Sequence, residues 1–531
     1  MRRWNGWGDE STSMVLPDSA TVFLGDLLGK SEPLPDCTLA DALSAVPESR
    51  LPLHQLISTD KEARVRHAKG QSLPDWLAMR SGEIEQFPDG VCYPENREQI
   101  KDIIQFAQLH NIELIPYGGG TSVAGHINPK ISDRAILTVD MSRMNQLLEI
   151  DQESNIATFG AGTPGPMVEA QLRAKGYTLG HFPQSFELST IGGWIASRSS
   201  GQQSLRYGRI EQLFAGGYLE TFSGTLELPT FPASSAGPDL REIILGSEGR
   251  MGILSEVKVR ISALPKKETF LVYFFPNWQL ATKFCREVAQ SKIALSMLRV
   301  SNAVETQTQL KLAGHESSIN LLEKYLAIRG CKNDKCMLTM GITGSYLQVK
   351  SAKAQLKPLF NRYKAISTGK VLGEKWQSNR FRFPYLRESL WLKGYAVDTL
   401  ETATDWQNVD DLLSKVENGL ANSLIHENEK VHVFTHLSHV YGQGCSLYTT
   451  YVFRSANSYA QTLARWKTLK HTASEIIVNN GGTISHQHGV GKDHAPYLSV
   501  EKGALGMSLI KNICQHFDPN KQMNPGTLLD D

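Results

Sequence analysis

The chain has 531 residues, 41% of them hydrophobic and 21% charged, with a formal net charge of +1. This length holds two to four domains with a large buried core. The near-neutral balance gives no general drive toward nucleic acid or anionic lipid. Seven sparse cysteines (37, 92, 285, 331, 336, 445 and 514) without a Cys-x-x-Cys pair predict reduced thiols in a cytoplasmic setting and argue against a cysteine-ligated zinc or iron–sulfur centre. Cys331 and Cys336 read as idle thiols. The start, Met1 to Gly8, lacks an apolar signal core, and the end, Leu528 to Asp531, is not a Ser-Lys-Leu address. No apolar run reaches membrane length, which predicts a soluble protein and leaves peripheral membrane contact open.

In chain order, residues 1–85 form a mixed, partly helical region. Asn96 has cap chemistry, and Ile100, Ile103, Ile104 and Ala107 make a helical stripe that Asn111 can end. Short strands are predicted at 112–115, 135–139 and 147–150. Thr163 and Pro164 predict a helix start, with threonine as cap and proline at the first helical position, running to about Lys175 with Gly176 as stop. Residues 181–217 turn rich in Gly and Ser and read as an ordered ligand-binding segment. Alternation from Ile253 to Ile261 predicts a strand with one face in the core. Pro265 to Glu268 marks the best boundary, giving 86–265 as one domain, 266–480 as a second α+β domain and 481–531 as a segment returning to the site. No internal repeat is present.

The most informative stretch is Pro116, Tyr117, Gly118, Gly119, Gly120, Thr121 and Ser122. Consecutive glycines let a ligand approach the backbone, and successive N–H groups can turn inward on an anion, with two hydroxyls beside them. A diphosphate suits such a loop. The spacing is neither a P-loop nor the Rossmann Gly-x-Gly-x-x-Gly. A second glycine-rich segment, Gly246 to Gly252, lies far downstream.

Five blocks in fixed order carry a resemblance: 116–122; Pro183 to Gly193; Ser197 to Gly201; Tyr207 to Ile210; and Gly246 to Gly252. Together they resemble the FAD-binding half of the vanillyl-alcohol oxidase/p-cresol methylhydroxylase superfamily. The resemblance implies an α+β fold, with a two-subdomain FAD-binding domain of that type plus an α+β substrate (cap) domain and FAD in the crevice between them. The cofactor-binding residues it implies are Pro116 to Ser122, Gln184, Ser185, Glu187, Ser189, Thr190, Gly192, Gly193, Ser197, Ser200, Gly246, Glu248, Gly249, Gly252 and Ile253. Relatives that attach flavin covalently through the first loop carry a histidine where Thr121 falls, so the implied FAD is non-covalent.

The rest of the chain narrows the resemblance. Trp4-Asn5-Gly6-Trp7-Gly8, Glu401 to Trp406 and Ile484 to Lys492 look like the alkyldihydroxyacetonephosphate synthases, which exchange the acyl group of acyl-dihydroxyacetone phosphate for a fatty alcohol without net electron flow. The resemblance implies a phosphate-binding Arg387, an acid/base Tyr448 and an arginine required for activity at Arg299. A guanidinium fork suits phosphate. The cluster Arg380, Arg382 and Arg387 reads either as a solvated face or as a phosphate pocket. The synthases carry three consecutive histidines before Gly-Val-Gly, where this chain reads His486, Gln487, His488. Glutamine takes no proton near neutral pH, so His486 or His488 must carry more of the chemistry. Related D-2-hydroxyacid dehydrogenases bind a divalent metal through two histidines and a glutamate. Gln487 and Tyr448 fill two of those slots, which predicts no metal, with His432, His436 and His439 as hydrogen-bonded strand residues.

The expected partner is thus a small phosphorylated lipid-like or hydroxy-acid substrate, and the family makes a homodimer compatible. Two other readings stay open: an FAD-dependent dehydrogenase or oxidase of a hydroxy acid or phosphorylated polyol, and a flavin-binding protein inactive through Gln487.

Overall fold

The structure is a computed structural model that describes residues 1–314 and 316–529. Asp530 and Asp531, part of the tail read above, lie outside the described residues.

The segment around the first glycine loop forms as its residues dictate. Asn96 accepts the N–H of Gln99 and caps the helix Arg97–His110, which buries Ile100, Ile103, Ile104 and Ala107. Asn111 ends it in the left-handed region, at φ 54°. The chain then enters the strand Glu113–Tyr117, which runs parallel to Ile136–Asp140. These two strands belong to a four-stranded sheet with Gly90–Cys92 and Ile57–Ser58. The glycine loop therefore leaves the carboxyl end of a parallel strand, where open α/β sheets place ligands.

The expected helix after Thr163 forms at Gly165–Arg173, but Pro164, not Thr163, stands at the cap. The Thr163 hydroxyl instead donates to the Gly160 carbonyl, 2.7 Å away, and is buried there. A second sheet has the order Leu147–Asp151, Ile156–Gly160, Ile253–Arg260, Phe214–Thr221, Gly224–Leu228. Its long strand from Ile253 alternates buried and half-buried positions at its far end, as the sequence pattern predicts.

A seven-stranded sheet dominates the second half, ordered Ile366–Ser367, Lys267–Phe275, Cys336–Gly344, Met297–Ser301, Val431–Val440, Gly444–Arg454, Tyr395–Asp405. One face carries Leu298, Val300, Leu437, Leu447, Tyr451 and Phe453 into a large apolar core. The helices Trp278–Gln290, Tyr346–Arg362, Val409–Asn422 and Tyr459–Asn479 close that core. Side chains alternate across a strand, so the intervening residues face the other way. In register, His436 pairs with Tyr448 and Tyr448 with Glu401, which sets these three side by side on the opposite face. Cys336 lies buried on a strand of this sheet and Cys331 is buried nearby; burial pushes the Cys336 thiol up to about 12, an unreactive state. Among the described residues no helix is long and apolar enough to cross a membrane.

Candidate active site

A cavity of about 460 Å³ lies between the glycine loops and that second sheet face. This is in the size range of small-molecule sites. Pro116 to Ser122, Gln184, Ser185, Ser189, Thr190, Gly192, Gly193, Ser197, Ser200, Glu248, Gly249, Gly252 and Ile253 all border it. The two glycine segments touch: a Cβ on Gly249 would stand 3.0 Å from Pro116. Glu187 and Gly246 do not border the cavity. The Glu187 carboxylate accepts the Tyr385 hydroxyl at 2.9 Å, and Gly246, at φ 80°, makes a turn beside Arg198.

The glycines are required by the fold as well as by a ligand. A Cβ on Gly118 would meet Thr190 Oγ1 at 2.4 Å, and one on Gly119 would meet the Leu188 carbonyl at 1.9 Å. The loop 118–122 and the segment 188–190 thus lie back to back, and the helix Ile191–Ser197 begins at once, capped by Thr190. The N–H groups that open this helix are already taken, by the Thr163 and Ala161 carbonyls and Thr190 Oγ1, so it is the backbone N–H groups of the 118–122 loop that suit a dinucleotide diphosphate. The Gln202 side-chain oxygen, buried at the cavity edge without a partner, adds an unused acceptor. Arg2 supplies a cation that sequence reading missed: its Nη2 donates to the Gly119 carbonyl at 2.6 Å. The residues present therefore fit FAD.

The C-terminal segment returns to this site. The Glu248 carboxylate accepts the backbone N–H groups of Val490 and Gly491, the latter at 2.7 Å. Asn524 donates from its side chain to the carbonyls of His126 and Glu248. Glu248 thus spends its charge on fixing the 489–491 turn, in which Gly489 and Gly491 both have positive φ.

The sheet face supplies the other wall: Met297, Arg299, Val397, Thr399, Phe434, His436, Ser438, Tyr448 and Thr450, with Gln487 and His488 beside them. The signal in sequence was the alternation His432, Phe434, His436, Ser438. Tyr448 is half-buried at the cavity wall and donates to Thr399 Oγ1 at 3.1 Å. Burial pushes its phenol up to about 12, so it stays protonated across the neutral range and acts as a donor. Arg299 pairs with Glu305 at 2.8 Å. His488 meets the Tyr448 ring edge-on at 5.8 Å, and burial lowers its proton affinity.

Arg387 projects from the helix Phe383–Trp391. Its guanidinium lies over the Trp76 ring, 4.6 Å from the centroid, and Nη1 donates to the Gln71 carbonyl at 2.5 Å. Nε and Nη2 are buried without a partner while the residue borders the cavity. Such a group is costly unless a ligand anion completes it. Arg380 does not share this place: it stacks on Phe182 and Phe381, and burial lowers its proton affinity. Arg382 is exposed. The N-terminal motif gains a physical role here. Trp7 borders the cavity, and Gly8, at φ 74°, leaves room for Tyr385 of the arginine helix.

His486 lies behind this wall and does not border the cavity. Its Nε2 is 2.7 Å from the Tyr441 hydroxyl and 3.1 Å from Arg209 Nη1, and Nδ1 is 3.1 Å from Glu401. Burial pushes the imidazole down to about 4, so it is neutral. Glu401, His439 and His486 bring their polar atoms within 4.8 Å of one another. Arginine only donates, so Arg209 leaves the His486 proton on Nδ1, facing the carboxylate. The trio is grouped around one buried carboxylate, Glu401, with His439 hydrogen-bonded to it and His486 Nδ1 close by. Gln487 Nε2 completes it with a 2.5 Å bond to Glu401 Oε2. Gln487→Leu removes that donor from a buried charge and should lower unfolding stability by about 1.5–3 kcal/mol, read as a shifted urea midpoint. An unchanged midpoint would mean that water replaces the amide.

Known proteins match this arrangement closely. Residues 88–227 match the FAD binding domain family and 264–528 the family of FAD linked oxidases, C-terminal domain. The alkyldihydroxyacetonephosphate synthase of Dictyostelium discoideum is 30% identical over 99% of this chain and 93% of its own length. The chain belongs to the alkyldihydroxyacetonephosphate synthase family. It is an FAD enzyme of that family. A solved alkyldihydroxyacetonephosphate synthase superposes with a TM-score of 0.85 at 27% identity, covering 99% of this chain and 98% of the other. A solved p-cresol methylhydroxylase shares the fold at a TM-score of 0.68 and 13% identity, over 97% and 99% of the two chains.

Proposed function

We propose that this chain replaces the acyl group of an acyl-dihydroxyacetone phosphate with a fatty alcohol, using non-covalently held FAD. The observation that carries the reading is Arg387, whose buried Nε and Nη2 lack partners at the edge of a cavity shared with the glycine loops. A phosphate dianion offers that fork two parallel acceptors. Family membership across nearly the full length supports the same substrate.

When bound, the flavin supplies an electron-pair donor to the substrate carbon that loses its acyl group. The chain's own residues bind and orient. The 116–122 loop holds the diphosphate, with the 188–193 segment backing it. Arg387 fixes the substrate phosphate over Trp76. Tyr448, kept protonated by burial, turns its O–H from Thr399 Oγ1 to an oxygen of the substrate or of the departing acid. Gln487, with its nitrogen committed to Glu401, leaves its carbonyl oxygen for the cavity. Phe434, Met297 and Leu312 give the cavity an apolar stretch suited to a hydrocarbon chain.

The test is product analysis of the FAD-loaded protein with an acyl-dihydroxyacetone phosphate and a fatty alcohol, without an electron acceptor. Fatty-acid release matched by ether product supports the reading. Product formation only with an electron acceptor contradicts it and supports a dehydrogenase or oxidase.

A further inference from the structure

Among the described residues, four imidazoles border the cavity: His126, His436, His439 and His488. A general base needs one nitrogen free toward the reactants and the other held by an acceptor. His126 turns Nδ1 to Ser122 Oγ at 2.7 Å and Nε2 toward Glu248 at 3.4 Å. His439 sets Nε2 3.2 Å from the Gly201 carbonyl, which only accepts, so that nitrogen is protonated and committed to the backbone. His488 packs on the Tyr448 edge, and no carboxylate hydrogen-bonds to it among the described residues.

His436 alone of the four combines both requirements. Glu305 Oε2 lies 3.0 Å from its Nδ1. Arg299 Nη2 also approaches Nδ1, at 3.3 Å, but is itself bonded to Glu305 Oε1; the shorter contact is with the carboxylate, which only accepts, so Nδ1 carries the proton and Nε2 keeps its lone pair. The Tyr448 ring stacks on the imidazole, with 4.8 Å between centroids and 20° between planes. Glu305 is itself fixed, its Oε1 accepting from Arg299 at 2.8 Å and from Gln309 at 2.7 Å. Burial opposes the ionised carboxyl, but His436 and Arg299 outweigh it and bring Glu305 down to about 2.

We infer that His436, oriented by Glu305, is the base that takes the hydroxyl proton of the incoming alcohol, a role that rests on the exchange reading above. As the alcohol oxygen bonds to the substrate carbon, the O–H electron pair stays on oxygen and the proton passes to Nε2. Over the whole exchange the fatty acid departs as a carboxylate with the electron pair of its C–O bond. The imidazolium then returns its proton to that carboxylate or to water, and the charge balances. The charged and titratable groups around His436 are Glu305, Arg299, Tyr448 and Glu401. Burial and Arg299 keep the resting imidazole neutral, in the form a base requires.

Three measurements on the FAD-loaded full chain test this. His436→Gln should lower kcat for exchange about 10²–10³-fold, with KM for the acyl substrate within about threefold and flavin absorbance retained. Glu305→Gln should move the acid limb of the kcat–pH profile to lower pH, because a lost carboxylate makes the imidazolium a stronger acid. Diethyl pyrocarbonate, which attacks unprotonated imidazole, should label His436 in the wild type, and dihydroxyacetone phosphate should protect it. Should His436→Gln not fold, the Glu305→Gln limb decides: an unmoved limb overturns the inference. Wild-type exchange with an unimpaired His436→Gln also overturns it and leaves the exchange reading standing. A wild type that makes no ether overturns the exchange reading and, with it, the alcohol as the proton donor to His436.

Discussion

Gly119→Ala should strip the protein of FAD. The new methyl carbon would lie 1.9 Å from the Leu188 carbonyl oxygen and 3.0 Å from Ser189 Cα. Both contacts are with backbone, so no side-chain rotation relieves them. Neither partner can yield cheaply. Leu188 and Ser189 both donate to the Ser185 carbonyl, and the Ser189 carbonyl accepts Gly165 N–H. On the other side, Arg2 holds the Gly119 carbonyl. The loops must separate by about 1 Å, and a displacement of that size can cost on the order of 10²-fold where geometry decides. The expected result is a fall of about 100-fold in FAD affinity, read as the ratio of flavin to protein absorbance after dialysis. Gly442→Ala, where a Cβ meets nothing within 4 Å, should keep its flavin. Full flavin content in Gly119→Ala would mean that the 118–122 loop does not hold the cofactor.

Arg387→Gln should cost about 10²–10³-fold in kcat/KM for the acylated phosphate, with the flavin spectrum retained. A phosphate facing this residue gains charge-assisted bonds in a dry site, and truncating one partner of such a pair costs about 2–5 kcal/mol; each 1.36 kcal/mol is tenfold in rate. Arg387→Lys should recover only part of the loss, because a point charge replaces a planar fork stacked on Trp76. A dephosphorylated substrate should be indifferent to either change. Equal losses for phosphorylated and dephosphorylated substrates would make Arg387 a packing residue.

What could be read in the sequence were features that need a particular residue. The helix capped by Asn96 and ended by Asn111 follows from local chemistry alone, as do the strands bounding the first glycine loop. The glycine blocks were legible because no other residue lets 118–119 press against 188–190. Thr163 misled because its hydroxyl oxygen could have accepted a helix N–H, whereas in the local turn its O–H donates to the Gly160 carbonyl. His486 and Gln487 are neighbours in sequence and both reach Glu401, but Gln487 borders the cavity and His486 does not, which no count along the chain reveals. Arg2 and Glu305 went unnoticed because their partners are 117 and 131 residues distant. Such contacts become visible only when sheet register is known. The His436–Tyr448–Glu401 row is the clearest case: strand alternation hints at it, and pairing across three strands fixes it.

The most direct measurement follows the flavin and the ether product together, anaerobically, in one vessel. The account predicts that an acyl-dihydroxyacetone phosphate and a labelled fatty alcohol give labelled ether and free fatty acid in equal amounts, and that the flavin ends fully oxidised with no acceptor added. A flavin that ends bleached, with no label incorporated and an oxidised product in its place, would contradict it.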